Sequence, residues 1–348
     1  MTAFCPNLVG IDTSSKPMKT CLKDIKPDIT YYNSSRSDAM EYDIGSAELM
    51  VEVKISDQSD PFNDPPNDKG LLCDSERARQ TLGQVTRYAT AHLASQFRTH
   101  VFSILLFTKS ARLMRWDRAG LIVSEPIALD KPELAQFFWR FNNANAKDRG
   151  YDSTVTPFKF TKDFTKEFLF DQLQFAADLT EVKEKVKVED VNFFEVSLPR
   201  TNNRYVIGKA IFLGVASLAS RATRSYKAWC LTTKKAVFLK DTWRIVSGSQ
   251  RPEHDIYKKL ADAKVQHIAT VLDYSDMEGH LTETGKYAEK SWVCKIKLKP
   301  FRTLQHYRLV LQEIGRSLTS FKDIREVLAA MRDALQGRNI QLIRQIFF

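Results

Sequence analysis

The alternation of apolar and polar positions divides the chain into a series of short elements. In "AELMVEVKIS", residues 47–56, Leu49, Val51, Val53 and Ile55 form one apolar face, while Glu48, Met50, Glu52 and Lys54 form a charged one. This predicts a strand and leaves open whether its charged face meets solvent or lines a metal site. Residues 57–70, "DQSDPFNDPPNDKG", concentrate Pro, Asp, Asn and Gly and predict a loop. Asp74 or Ser75 can then cap a helix through "ERARQTLGQVTRYATAHLASQ", with Leu82, Val85, Ala89 and Leu93 on its buried stripe. Strands follow in "THVFSILLF", "ARLMRWDRAG" and "LIVSEPIAL", the last two joined by a turn at 118–120. A helix around "KPELAQFFWRFNNA" closes this series.

A charged stretch near "LTEVKEKVKVEDV" predicts a connector or surface element. From about Arg204 a second series begins, with strands in "RYVIGKAIFLGVAS", "SYKAWCLTT" and "KAVFLKDTW" and a helix at "PEHDIYKKLADA". Strands at "QHIATVLDYS", "WVCKIKLKP" and "YRLVLQEI" come next, then a helix at "SFKDIREVLAAMRDALQ". The expected organisation is a first domain over 1–155, a connector over 156–203 and a second domain over 204–348.

Composition agrees with two globular units, since 348 residues at 43% hydrophobic can bury substantial cores. The five cysteines, at 5, 21, 73, 230 and 294, are odd in number, widely spaced and contain no CxxC pair. They argue against a disulfide framework or a zinc site and for a reducing compartment. The start of the chain lacks a basic segment followed by a long apolar one, and "VFSILLF" falls far short of the ~20 residues a membrane span needs. An intracellular protein of cytoplasm or nucleus, with no membrane partner, is expected. Charge is uneven: residues 1–199 carry 25 Lys and Arg against 29 Asp and Glu, a net of −4, while residues 200–348 carry 27 against 13, a net of +14. The basic half favours phosphate-bearing ligands, although a solvated surface explains such an excess equally well.

Two constellations carry candidate chemistry. Pro27-Asp28 precedes the short run "ITYYN", and Glu52 and Lys54 follow with one residue between them. Two carboxylates suit a hard ion such as Mg²⁺, and an adjacent ammonium can stabilise charge developing on a phosphate. Gln84 and Tyr88, four apart, share one side of the following helix. Together these residues resemble the PD-(D/E)xK nuclease superfamily, some branches of which carry a similar QxxxY element. The resemblance implies a three-layer α/β domain with Asp28 and Glu52 as metal ligands and Lys54, Gln84 and Tyr88 beside them. The bland explanation is a scaffold in which Glu52 and Lys54 form a partly exposed ion pair worth ~0–1 kcal/mol. The net charge of this half favours it, because an enzyme that grips a polyanion usually shows a basic footprint. Nucleic acid is therefore the less favoured partner.

The second constellation places Lys240 at the end of the apolar run "AVFLK" and Glu253 thirteen positions later, at the start of a helix with Ile256, Tyr257 and Leu260 behind it. A strand lysine paired with a helical glutamate is how protein kinases hold ATP phosphates, because the pair fixes an otherwise flexible ammonium. "YRLVLQEIG" resembles the strand that leads to a kinase hinge, and "SLTSFKDIREVLAAMRDAL" resembles the hinge exit and the start of the larger lobe.

With "GQVTRYATAHLASQFRTHVFSILLFTKSARLMRWDRAGLIVSEP", "RGYDSTV", "LKDTWR" and "HYRLVLQEIGRSLTSF", the chain resembles the fungal-type protein kinase family from about Asp24 to about Gln336. In that family a nuclease-like N-terminal region precedes a divergent kinase domain. The resemblance implies a kinase-like small lobe, an antiparallel sheet with one main helix, followed by the first helix of the large lobe. It also implies ATP and Mg²⁺ as cofactors, with Lys240 as the phosphate lysine, Glu253 as its partner and protein phosphorylation as the family activity.

Departures qualify the activity. Neither HRD nor DFG occurs, and family members continue from the "RDAL" helix into a catalytic loop where "QGRNIQLIRQIFF" stands here. Arg332-Asp333 falls within an amphipathic helical pattern instead. The span from Gly208 to Thr223 offers only Gly208 and Gly214, with Ser220 where a glycine close to the phosphates is expected. The expectation is a truncated pseudokinase that binds nucleotide weakly or not at all and meets a protein partner at its unfinished lobe. A Mg²⁺-dependent nuclease and a non-catalytic interaction module are the alternatives.

Overall fold

The computed structural model describes residues 5–20, 22–35, 43–64, 70–173, 186–215, 217–247, 250–287, 290, 302–315 and 318–337. The chain divides into two compact units. The first takes residues 1–153 with 215–222 and 280–304, and the second takes 154–214, 223–279 and 305–348.

The first unit contains β1 (Leu8–Asp12), β2 (Ile29–Asn33), β3 (Ala47–Lys54), α1 (Glu76–Ser95), β4 (His100–Phe107), β5 (Ser110–Asp117), β6 (Gly120–Val123), β7 (Ile127–Ala128) and α2 (Glu133–Asn143). Sheet order follows the chain from β1 to β6, with β7 pairing with β5. β3 and β4 are parallel while their neighbours are antiparallel, because only the β3–β4 connection is long enough to cross the sheet as a helix. Ser75 starts that helix, its hydroxyl accepting from the Ala78 N–H at 3.2 Å.

The helices cover opposite faces of the sheet, giving three layers. Val85, Ala89 and Leu93 of α1 pack on Val101, Leu105 and Trp116, with Leu218 in the same cluster. Phe138 and Phe141 of α2 pack on Leu49, Val51 and Ile104 on the other face. The charged face of β3 thus lies on the α1 side, where Met50 meets Tyr88 and Ala91. Its two glutamates are buried, Glu48 4% and Glu52 3% exposed, whereas the apolar face, buried at Leu49 and Val51, runs out into solvent at Ile55, 92% exposed.

Burial forces Glu48 to find partners. Arg98 Nη2 lies 3.2 Å from one carboxylate oxygen, and the Tyr151 hydroxyl donates to the other at 2.9 Å. Gly150 allows this clamp to close: its φ is +94° and a Cβ there would stand 2.0 Å from the His100 carbonyl oxygen. The "RGYD" segment is therefore a latch on β3. The loop after β3 is held similarly, with the buried Arg112 donating to both carboxylate oxygens of Asp60 and of Asp64.

The second unit contains β8 (Val155–Pro157), α3 (Lys166–Gln172), β9 (Phe194–Leu198), β10 (Asn203–Ile207), β11 (Phe212–Gly214), β12 (Thr223–Cys230), β13 (Lys235–Ile245), α4 (Glu253–Asp262), β14 (Val271–Leu281), β15 (Leu304–Leu311) and α5 (Ile324–Gly337). Its sheet has the order β14-β15-β13-β12-β10-β9-β8, with β11 beside β12. The pairs from β8 to β13 are antiparallel. Residues expected to form a connector thus carry two strands and a helix, whose Leu169, Phe170 and Phe193 pack with Val206 and Trp229. The expected strand at 292–300 and most of the charged stretch at 179–191 lie outside the described residues.

Among the described residues two sheets and five α-helices make a mixed α+β structure consistent with a kinase-like fold. Among the described residues no helix is long and apolar enough to cross a membrane, and Cys73 and Cys230 are free thiols.

Candidate functional site

β13 carries Lys240 mid-strand, paired across β12 with Ser225, and not at the strand end expected from the apolar run. Alternation sends Lys240 to one face of the sheet and Asp241 to the other. Glu253 is the first residue of α4 and turns its carboxylate toward the ammonium. Lys240 Nζ donates to both oxygens, at 2.8 and 2.7 Å. The two side chains are 22% and 24% exposed, so the pair is accessible but partly shielded from water. An ammonium gripped by two oxygens keeps its third N–H for another acceptor.

Beneath it the sheet is fixed by a buried charge cluster. The Asp241 carboxylate meets His306 Nε2 in a short hydrogen bond and stands 3.7 Å from Arg308 Nε. Burial alone would raise its pKa, but His306 and Arg308 hold it well below the ordinary carboxylate range. Trp243 stacks on the His306 ring at 4.9 Å. Two of its members, His306 and Arg308, lie more than sixty positions from Asp241, and no local sequence signal marks the cluster.

Of the expected glycine loop, Gly208 follows β10 and Gly214 ends β11. Residues 215–222, including Ser220, belong to the first unit, where Leu218 is part of the core. Arg332-Asp333 lies within α5, its guanidinium donating to its neighbour's carboxylate at 2.8 Å.

The other constellation also comes together. Lys54 Nζ donates to Glu52 Oε1 at 2.6 Å and to Gln84 Oε1 at 3.0 Å. Gln84 Nε2 donates to the Tyr88 hydroxyl at 2.7 Å, and that hydroxyl donates to the Lys26 carbonyl at 2.7 Å. Asp28, just ahead of β2, accepts from the Val53 N–H at 2.7 Å. The pair is asymmetric, with Glu52 3% and Lys54 24% exposed. Among the described residues Glu52 Oε2 is buried with no partner at hydrogen-bond geometry, although the Tyr88 hydroxyl is near enough to the carboxylate to influence its pKa. Burial raises the pKa of Glu52, the Lys54 contact opposes that, and the Asp28 carboxylate adds to it. Burial also raises the Tyr88 hydroxyl, which stays protonated.

A family model described as fungal protein kinase matches residues 70–346. The match includes Gln84, Tyr88, Lys240 and Glu253 and leaves out Asp28, Glu52 and Lys54. No curated protein and no solved structure matches the chain. A model that covers well over half of the residues, over a fold consistent with it, assigns the family: the chain belongs to the fungal protein kinases.

Proposed function

We propose that Lys240 and Glu253 form the phosphate anchor of a nucleotide site, and that these 348 residues hold ATP without transferring its phosphate. The observation that carries this reading is the two-oxygen grip of Glu253 on Lys240, which fixes an ammonium on a rigid strand with one N–H to spare. ATP would place its α- and β-phosphates against that ammonium. Transfer also needs an aspartate to orient the accepting hydroxyl and acidic ligands for the metal, and neither HRD nor DFG supplies them. The apolar stripe of α5, with Ile324, Leu328, Met331 and Leu335 each more than half exposed, supports a protein partner for this part of the domain.

Thermal unfolding of wild type and Lys240→Ala with and without ATP tests the reading. ATP should raise the transition of wild type alone, and incubation with Mg²⁺·ATP and a protein panel should give no phosphorylation. Lys240-dependent phosphorylation would overturn the inactive assignment.

The orphaned Glu52 Oε2 favours a second reading, a Mg²⁺-dependent nuclease site. Glu52 and Asp28 would hold the metal, Lys54 would steady charge on a scissile phosphate, and Gln84 and Tyr88 would orient Lys54. A divalent ion would supply the missing partner of a buried oxygen. Metal-dependent cleavage of DNA or RNA that disappears in Glu52→Ala would establish it.

A further inference from the structure

Glu253 sits where a helix holds its residues least. As the first position of α4 its N–H has no acceptor within the helix, and Pro252 before it offers no side-chain cap. A start of this kind frays unless something outside the helix grips it, and here the carboxylate that meets Lys240 would fray with it.

The grip comes from Tyr307 on β15, 53 positions away. Its hydroxyl accepts from the His254 backbone N–H at 3.3 Å and lies 3.0 Å from His254 Nδ1. The imidazole also lies flat on Tyr274 of β14, with ring centroids 3.5 Å apart and planes 10° from parallel. Tyr307 is 1% exposed, which places its hydroxyl on a rigid part of the sheet. Burial raises the pKa of that hydroxyl and lowers that of His254, so both groups are neutral near pH 7. With the imidazole proton on Nε2, which faces Asp255 at 3.4 Å, Nδ1 is an acceptor. One hydroxyl then accepts from the helix backbone and donates to the ring, and both of its roles are filled.

We infer that Tyr307 and His254 are positioning residues for the Lys240–Glu253 pair: the tyrosine caps α4 from the sheet and sets the glutamate beside the lysine. The functional consequence rests on the proposed nucleotide site, but the geometric claim does not.

The test reads the pair directly in the full chain without nucleotide. A lysine-acylating reagent is applied, and labelling of Lys240 is measured by mass spectrometry against the exposed Lys235 on the same strand. Glu253→Gln sets the rate for a released lysine. Tyr307→Phe should speed Lys240 labelling roughly three- to tenfold, as losing one positioning hydrogen bond implies. Tyr307→Phe combined with Glu253→Gln should label no faster than Glu253→Gln alone, which a merely structural tyrosine would not produce. His254→Ala, at a half-buried position, repeats the comparison without touching the core. Wild-type labelling in both Tyr307→Phe and His254→Ala, or additive effects in the double variant, would overturn the inference. Failure of wild type to bind ATP would sink the nucleotide reading and leave this comparison standing.

Discussion

Each unit holds a lysine–glutamate pair, and the two pairs leave different groups unsatisfied. In the first unit Lys54 and Glu52 lie two residues apart on one strand, and the lysine meets only one carboxylate oxygen while the other is buried, among the described residues without a partner at hydrogen-bond geometry. In the second, Lys240 and Glu253 come from a strand and a helix, and the lysine meets both oxygens. The first pair has acceptor capacity to spare in a dry place, which suits a cation. The second has donor capacity to spare in a half-open place, which suits an anion such as phosphate. Similar residues therefore fit opposite ligands, and the difference lies in how many oxygens the ammonium occupies.

Glu48, on the same face of β3, shows what full satisfaction does, and removing its partners gives the largest expected effect. Arg98→Met combined with Arg149→Met would leave a buried carboxylate without a counter-charge and should lower stability by about 3–5 kcal/mol, measured by denaturant unfolding. A loss below ~1 kcal/mol would show that this face tolerates unpaired carboxylates, and Glu52 would then say nothing about metal. Next in size is the cation itself. Mg²⁺ at ten times its Kd should stabilise wild type by about 1.4 kcal/mol and leave Glu52→Gln unmoved. Equal shifts in both proteins would place the ion elsewhere.

The smallest effect is the pH dependence. Glu52 has a folded pKa above its ordinary 4.5, so the ionised group costs stability: the cost is absent below pH 4.5 and grows as pH rises through the folded value. Glu52→Gln removes it. The variant should melt with wild type near pH 4 and above it at pH 7. A variant that melts lower at pH 7 would mean that the Lys54 contact outweighs burial.

Much of this was legible locally. Period-two alternation gives β3, Asp74 or Ser75 marks the start of α1, with Ser75 the one that caps it, and the spacing of Glu52 from Lys54 puts them on one face. What periodicity could not reveal was that the charged face of β3 is buried as well. Both faces are covered, and the charged one can be because Arg98 and Arg149, about fifty and one hundred positions downstream, neutralise Glu48 while the Tyr151 hydroxyl donates to it. The two strands and the helix of residues 156–203 have no clear local pattern because their aromatic residues, Phe168 and Phe170 among them, are packed by Trp229 and Val206 far along the chain. Lys240 and Glu253 were visible as residue types, but the cap that positions them was not. Tyr307 looks like any core aromatic until β15 is laid beside α4.

The most direct measurement is titration of a fluorescent ATP analogue, with EDTA present, into wild type, Lys240→Ala and Glu52→Gln. The account predicts that Lys240→Ala raises Kd about tenfold or more, a cost of ~1.4 kcal/mol, while Glu52→Gln leaves it unchanged. Equal affinity of wild type and Lys240→Ala, or a loss in Glu52→Gln, would contradict the assignment of phosphate to the second pair.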